Sequence, residues 1–342
     1  MKQNNFHLCD GIVLLSKNVG VTSFQSLTVV KKSLNTNKVG HTGTLDSFAQ
    51  GLLVVCTGRL TRLAGNITEF DKTYKAVIKF GSETDTLEYT GNVIKETGLP
   101  TLEKLKSVLS NYKGAMKQKP PAFSAIHVDG KRASDLTRKG IEVDIPLRDI
   151  FIYETNLDDY RLNENNQVES CMITFTVSKG TYIRSLARDI GADCGSSAHL
   201  IGLFRTRVGN FNIEDAAGLS LLEDFTIDSC LQQVSKYKES PDISLNQRLS
   251  DSDFDFLKKD VVTKMKSMST EIAQQCGFLT IELNEEVAKD FYNGKPLRSY
   301  LFMQKIREYP VNSQIAVFDG EDFAGLIQKN QEGYLNYKFV LN

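Results

Sequence analysis

The chain has 342 residues, 41% of them apolar and 24% charged, with a formal net charge of −1. That length suits two domains, each able to bury a core, and the composition excludes a disordered or fibrous chain. No apolar run approaches the roughly 20 residues that span a bilayer, so no membrane partner is expected.

In chain order, "MKQNNFHLCD" is polar and lacks the apolar stretch of a signal peptide, which makes a cytoplasmic location the expectation. Ile12–Leu15 reads as a buried strand. "TSFQSLTVVKKSL" follows as a helix capped by Thr22 or Ser23, placing Phe24, Leu27, Val30 and Leu34 on one face. "LLVVC" reads as a second buried strand, and Tyr74–Phe80 alternates as a third. A helix is expected after Pro100 on Leu102, Leu105, Val108 and Leu109. Pro120–Pro121 mark a loop. "CMITFTV" is a strand, and "KGTYIRSLARDIG" enters a helix capped by Thr181 with Ile183, Leu186 and Ile190 inward. Residues 226–275 are polar and read as a partly helical linker. From Cys276 the short runs "FLTIEL", "SQIAVFD" and "FAGLIQK", separated by turns, suggest a small β-rich module. The expected division is therefore 1–225, 226–275 and 276–342, with an α+β pattern throughout the first part.

Net charge hides an asymmetry. Residues 1–80 carry ten Lys/Arg against four Asp/Glu, whereas residues 214–290 carry eight against sixteen. A basic half suggests one anion-attracting face. Six cysteines occur without a C-x-x-C pair and four histidines without ligand spacing, so neither a disulfide frame nor a metal site is expected. No phosphate-binding loop, dinucleotide fingerprint or nucleophile elbow occurs, which leaves a cofactor enzyme unsupported. What remains is "GHTGTLDSFAQGLLVVCTGRLTRLAG", Gly40–Gly65, in which Asp46 is the lone carboxylate among glycines, threonines and a histidine. By residue type alone Asp46 reads either as a turn residue or as a reacting group.

The motifs decide more than the lone acid. "GHTGTLDSFAQGLL" resembles the signature of the TruB family of tRNA pseudouridine synthases. "GVTSF" (Gly20–Phe24) is similar to the family's N-terminal motif, and "KTYKAVIKFGSETDTLEYTG" (Lys72–Gly91) to its tyrosine strand and T-D-T turn. "KPPAFSAIHVDGKRA" (Lys119–Ala133) resembles its RNA-facing loop. "VSKGTYIRSLARDIG" with "AHLIGLFRTRVGNF" (Val177–Phe211) resembles its arginine motif and closing segment.

The resemblance implies a pseudouridine synthase fold: a mixed, mainly antiparallel sheet flanked by helices, with a PUA-like module at residues 276–342. It implies isomerisation of uridine 55 in the T-loop of tRNA, with the T-arm as partner and with no cofactor, metal or protein partner required. Asp46 matches the catalytic carboxylate and Arg184 the guanidinium that pairs with it. Such a partner stabilises a charged carboxylate in a partly dry pocket. Tyr74 matches the tyrosine that stacks on the target base, Tyr182 a second pocket tyrosine, and Leu203 an apolar base contact. His41 matches the residue that wedges into the stack vacated by the flipped nucleotide. Lys17, Lys31, Lys32, Arg59, Lys72, Lys119, Lys131, Arg132, Arg205 and Arg207 are candidates for phosphate contacts.

Three departures stand out. Ser47 replaces the proline usual after the acid, Phe123 and His127 replace a tyrosine and a lysine of the RNA-facing loop, and Phe204 replaces one of two arginines. The first is expected to loosen the catalytic loop, the others to weaken RNA binding. Two alternatives stand beside the main reading: a synthase for another RNA, and an RNA-binding or tRNA-folding protein whose catalysis is dispensable.

Overall fold

The computed structural model describes residues 9–341 apart from 125, 129, 142 and 241–248. In chain order the first part contains β1 (Gly11–Lys17), α1 (Ser23–Ser33), β2 (Val39–His41), β3 (Gln50–Thr57), α2 (Ala64–Thr68) and β4 (Lys72–Phe80). Next come β5 (Ser82–Thr84), β6 (Val93–Glu96), α3 (Leu102–Leu109), β7 (Gly114–Gln118), β8 (His127–Val128), β9 (Lys131–Arg132) and α4 (Ala133–Thr137). The last are β10 (Arg148–Leu162), β11 (Val168–Val177), α5 (Ile183–Asp193) and β12 (Ala198–Val208).

One large sheet organises them, in the order β1-β3-β12-β4-β11-β10-β7. Only β3 and β12 pair in parallel along that path; every other neighbour is antiparallel. β1 and β3 are buried on both faces, which explains their unbroken apolar runs. Val13, Leu15, Leu53 and Val55 pack against Leu27 and Val30 of α1 and against Leu257 and Val261 of a later helix, Asp251–Lys264. The alternate residues Ile12, Leu14, Leu52 and Val54 face a second cluster. The wide part of the sheet is covered by α3, α5 and the helix Ile227–Glu239, whose Leu105, Leu186 and Val234 lie in a third cluster with Ile78 and Ile173.

The helix α1 starts as its sequence requires. Thr22 accepts from the Gln25 amide and the Gln25 side chain returns to the Thr22 amide, a complete capping box. Leu27 and Val30 turn inward, but Phe24 does not: it is 70% exposed, with the Lys31 ammonium over its ring. At α5 the cap is Tyr182, not Thr181, whose hydroxyl has no partner among the described residues. A clamp elsewhere fixes that entry, because the Gln118 side chain binds both the N–H and the C=O of Tyr182.

Residues 226–275 contribute the helices Ile227–Glu239, Asp251–Lys264 and Thr270–Gln275, all with buried faces against the main body. Beyond them the strands Leu279–Glu282, Gln314–Asp319, Asp322–Lys329 and Leu335–Val340 form a separate four-stranded sheet. One side of it shares a core with the large sheet: Phe278, Phe318, Leu326 and Leu341 lie in the same cluster as Leu52, Leu60 and Phe211. Ending the chain at residue 275 would return that apolar surface to water. The expected loss is at least about 3 kcal/mol, from two or more uncovered large side chains. A urea melt of the truncated chain measures it, and unchanged stability would contradict the shared core.

Candidate active site

Asp46 sits in the loop between β2 and β3, and that loop is fixed from three directions. From α1, the Ser23 hydroxyl donates to the Leu45 carbonyl (3.0 Å) and accepts from the Leu45 amide (2.8 Å). From β12, the Arg205 guanidinium reaches Leu52 O (2.7 Å), Gly43 O (3.2 Å) and Thr44 O (3.4 Å). From β1, the Lys17 ammonium, 1% exposed, donates to Val21 O and Ala49 O (both 2.6 Å), Asn18 O (2.9 Å) and Ser47 O (3.4 Å). Burial pushes the Lys17 amine down to about 7, against the pull of Asp46 and with a further push from Arg205. The carbonyl of Ser47 is held twice, by Lys17 and by the Gly20 amide (2.8 Å). The loop therefore stays anchored without the expected proline. Lys17→Met would remove this donor from Asn18 O, Val21 O and Ala49 O and leave Ser47 O to the Gly20 amide alone. We expect a stability loss of about 2 kcal/mol by urea melt and a lower turnover number, because Asp46 would lose its fixed support.

Arg184, on the first turn of α5, faces the acid. Its Nε lies 3.0 Å from Asp46 Oδ2 and its Nη2 3.3 Å from Oδ1, a two-point pair. The guanidinium is 7% exposed and the carboxylate 38%, so the acid looks into an opening while its partner lies behind it. Arg184 also donates to Thr86 O (3.0 Å) and Phe123 O (3.1 Å), tying the T-D-T turn and the loop after Pro121 to the same group.

That opening is a cleft of about 750 Å³ lined by Asp46, Tyr74, Tyr182, Arg184 and Leu203, five of the six residues assigned from the sequence. Tyr74 and Leu203 lie on neighbouring strands, β4 and β12, both in inward-facing positions. Burial raises the Tyr182 phenol above its ordinary range, so its hydroxyl stays protonated at neutral pH. His41 is not among the lining residues; it ends β2, two residues before Gly43. Its Nδ1 is buried with no partner among the described residues, and burial together with the nearby Arg205 charge disfavours the imidazolium.

Several residues at the site have no counterpart among those assignments. Glu88, 8% exposed, holds the Thr90 amide (2.8 Å) and hydroxyl behind the T-D-T turn. Burial raises its carboxyl; the bonds to Thr90 and the charge of Arg184 oppose that rise. Its only signal in sequence is a place in "TDTLE", where an acid reads as a solvated turn residue. Lys72 and Arg205 also line the cleft. Phe204 packs its ring 5.4 Å from that of Phe225 and so serves packing where an arginine would offer charge. Of the altered RNA-facing loop, Ala125 and the side chain of His127 lie outside the described residues. No group of His, Cys, Asp or Glu among the described residues could hold a metal ion.

A carboxylate and guanidinium paired at the mouth of a cleft, with a tyrosine ring and an apolar wall opposite, are suited to holding a flat base and attacking its sugar. The chain aligns over 98% of its length with a chain of an H/ACA RNP bound to a substrate RNA containing 2′-deoxyuridine, at a TM-score of 0.63 and 18% identity. It aligns equally over 98% of its length with a chain of a Cbf5-Nop10-Gar1 complex, at a TM-score of 0.62 and 21% identity. This is the pseudouridine synthase fold, α+β with a mixed, mainly antiparallel sheet and a small C-terminal sheet. Residues 31–183 match the family model described as TruB family pseudouridylate synthase, N-terminal domain. A tRNA pseudouridine synthase B from Treponema denticola is 37% identical, covering 94% of this chain and 95% of that relative. One from Bordetella avium is 43% identical, covering 64% of this chain and 88% of that relative. The chain belongs to the TruB family of pseudouridylate synthases.

Proposed function

We propose that the protein isomerises the T-loop uridine at position 55 of tRNA to pseudouridine, with Asp46 as the reacting carboxylate. The observation that carries this reading is the two-point Asp46–Arg184 pair at the wall of a nucleotide-sized cleft. The relatives that match this chain along nearly its whole length are tRNA pseudouridine synthases B, which supports the substrate.

The reaction breaks the bond from N1 of uracil to C1′ and forms one from C5 to C1′. The C5 proton leaves and N1 gains one, so no electrons are exchanged with any partner. The target nucleotide is flipped into the cleft, and His41, outside it, fills the gap left in the RNA stack. Tyr74 supports the base by its ring, with Leu203 and Tyr182 as further walls. Asp46 acts at C1′ while Arg184 keeps it charged and aimed. Because the detached base stays inside the cleft, it can turn and rejoin without being lost to solvent.

The T-arm of tRNA is the partner this reading requires; a further protein subunit is not needed for it. Action on tRNA places the protein in the cytoplasm in this reading; among the described residues no helix is long and apolar enough to cross a membrane. Residues 1–225 form the catalytic unit in this account, 226–275 a polar helical connection and 276–342 a PUA-like RNA-binding module.

The test is tritium release from a T-loop hairpin labelled at C5 of the target uridine. Release at catalytic rates is expected. Tight binding of the hairpin without any release would move the reading to an RNA-folding protein, and release only from other RNAs would move the target.

A further inference from the structure

Two of the candidate phosphate contacts are buried cations on the cleft wall. Lys72 opens β4 and Arg205 lies on β12, directly opposite Tyr74 in the strand register. Both line the cleft, yet they are only 7% and 2% exposed. Lys72 donates to Thr68 O (2.6 Å) and Phe70 O (2.5 Å), which uses two of its three N–H groups. Arg205 donates to three carbonyls, which leaves two of its five N–H groups. Among the described residues neither makes an ion pair. The acids in reach are Glu69, which pairs with Lys179, and Asp71; both act on Lys72 across space. Burial, then the Arg205 charge, brings the Lys72 amine down to about 8.

Two cations buried side by side without an ion-pair partner of their own are costly to the empty protein. An arriving anion removes that cost. Of the cations lining the cleft, which also include Arg148, Lys179 and Arg184, Arg205 is the register partner of Tyr74 and Lys72 lies two residues before it on the same strand, while Asp46 stands where the sugar must lie. A nucleotide with its base on Tyr74 and its C1′ at Asp46 carries its phosphate one sugar away.

We propose that Lys72 and Arg205 form a phosphate subsite that grips the phosphodiester next to the flipped uridine. The inference rests on the function proposed above. It goes further in assigning two of ten candidate cations to one linkage and in giving them a task beyond general attraction. Binding there ties the register of the backbone to the position of C1′, so it selects the nucleotide that reaches Asp46. Lys17, also among the ten candidates, is excluded from this task because its ammonium is occupied by four carbonyls.

The experiment compares hairpin binding by Asp46→Asn protein and by the same protein carrying Lys72→Met, so that the substrate stays unconverted. Uncharged methylphosphonate linkages are placed one at a time along the hairpin. One linkage flanking the target uridine should weaken the parent about tenfold, the size of a lost charge-assisted contact, and should cost the Lys72→Met protein, which keeps only Arg205 at the subsite, clearly less. The slope of log Kd against log salt should fall by about 0.8 in the variant. Equal losses in both proteins at both flanking linkages would overturn the subsite. Lys72→Gln, which can keep a donor for the neighbouring carbonyls, serves if Lys72→Met fails to fold. Failure of the underlying function reading is distinct: the parent would then not bind the hairpin at all, or wild type would not release tritium from it.

Discussion

Asp46→Asn is expected to abolish turnover, by about a thousandfold or more, while hairpin affinity changes less than about threefold. The asparagine keeps the volume of the acid and can still accept one bond from Arg184. The loop that carries it is held by Ser23, Lys17 and Arg205 through backbone carbonyls and amides, none of which the substitution touches. Folding and binding are thus separated from chemistry by construction. A full time course of tritium release is the measurement. Residual activity within tenfold of wild type would remove Asp46 from the reacting role.

Arg184→Ala is expected to be nearly as damaging to turnover and, unlike the first variant, to destabilise the fold. Four contacts disappear: two to Asp46, one to Thr86 O and one to Phe123 O. The acid stays partly exposed, so water compensates part of the lost ion pair, and the stability loss should be about 1–2 kcal/mol rather than that of a fully buried pair. Arg184→Lys is the informative companion. A lysine keeps the charge but offers no planar fork, so stability should recover more than turnover does. If both variants had wild-type turnover, the pair would be structural only.

Much of this site is readable from sequence because its chemistry forces unusual residue patterns. Asp46 stands alone among glycines and threonines, and Arg184 follows a glycine-threonine-tyrosine entry into a helix whose apolar spacing is plain. The buried runs of β1 and β3 also announce themselves. What stays hidden is polar burial. Lys17, at the end of an apolar strand, reads in the sequence as a candidate phosphate contact; only the fold shows four carbonyls converging on it. Glu88 is concealed in the same way by its place in a turn. Phe24 errs in the opposite direction, since helical spacing puts it on the apolar face but that face is narrower than its spacing suggests. The strand Leu335–Val340 is absent from the runs read in sequence, because "LNYKFV" carries Asn and Lys and owes its pairing to the neighbouring Asp322–Lys329 strand.

The three-point anchoring of the Asp46 loop also decides where effort is spent during the reaction. A loop already fixed before substrate arrives need not be ordered by it, so little binding free energy is consumed on the protein side. The deformation falls on the RNA, which must release a nucleotide from its stack. Substrates should accordingly be ranked by how readily the target uridine swings out, and two RNAs bound equally tightly can still differ widely in rate.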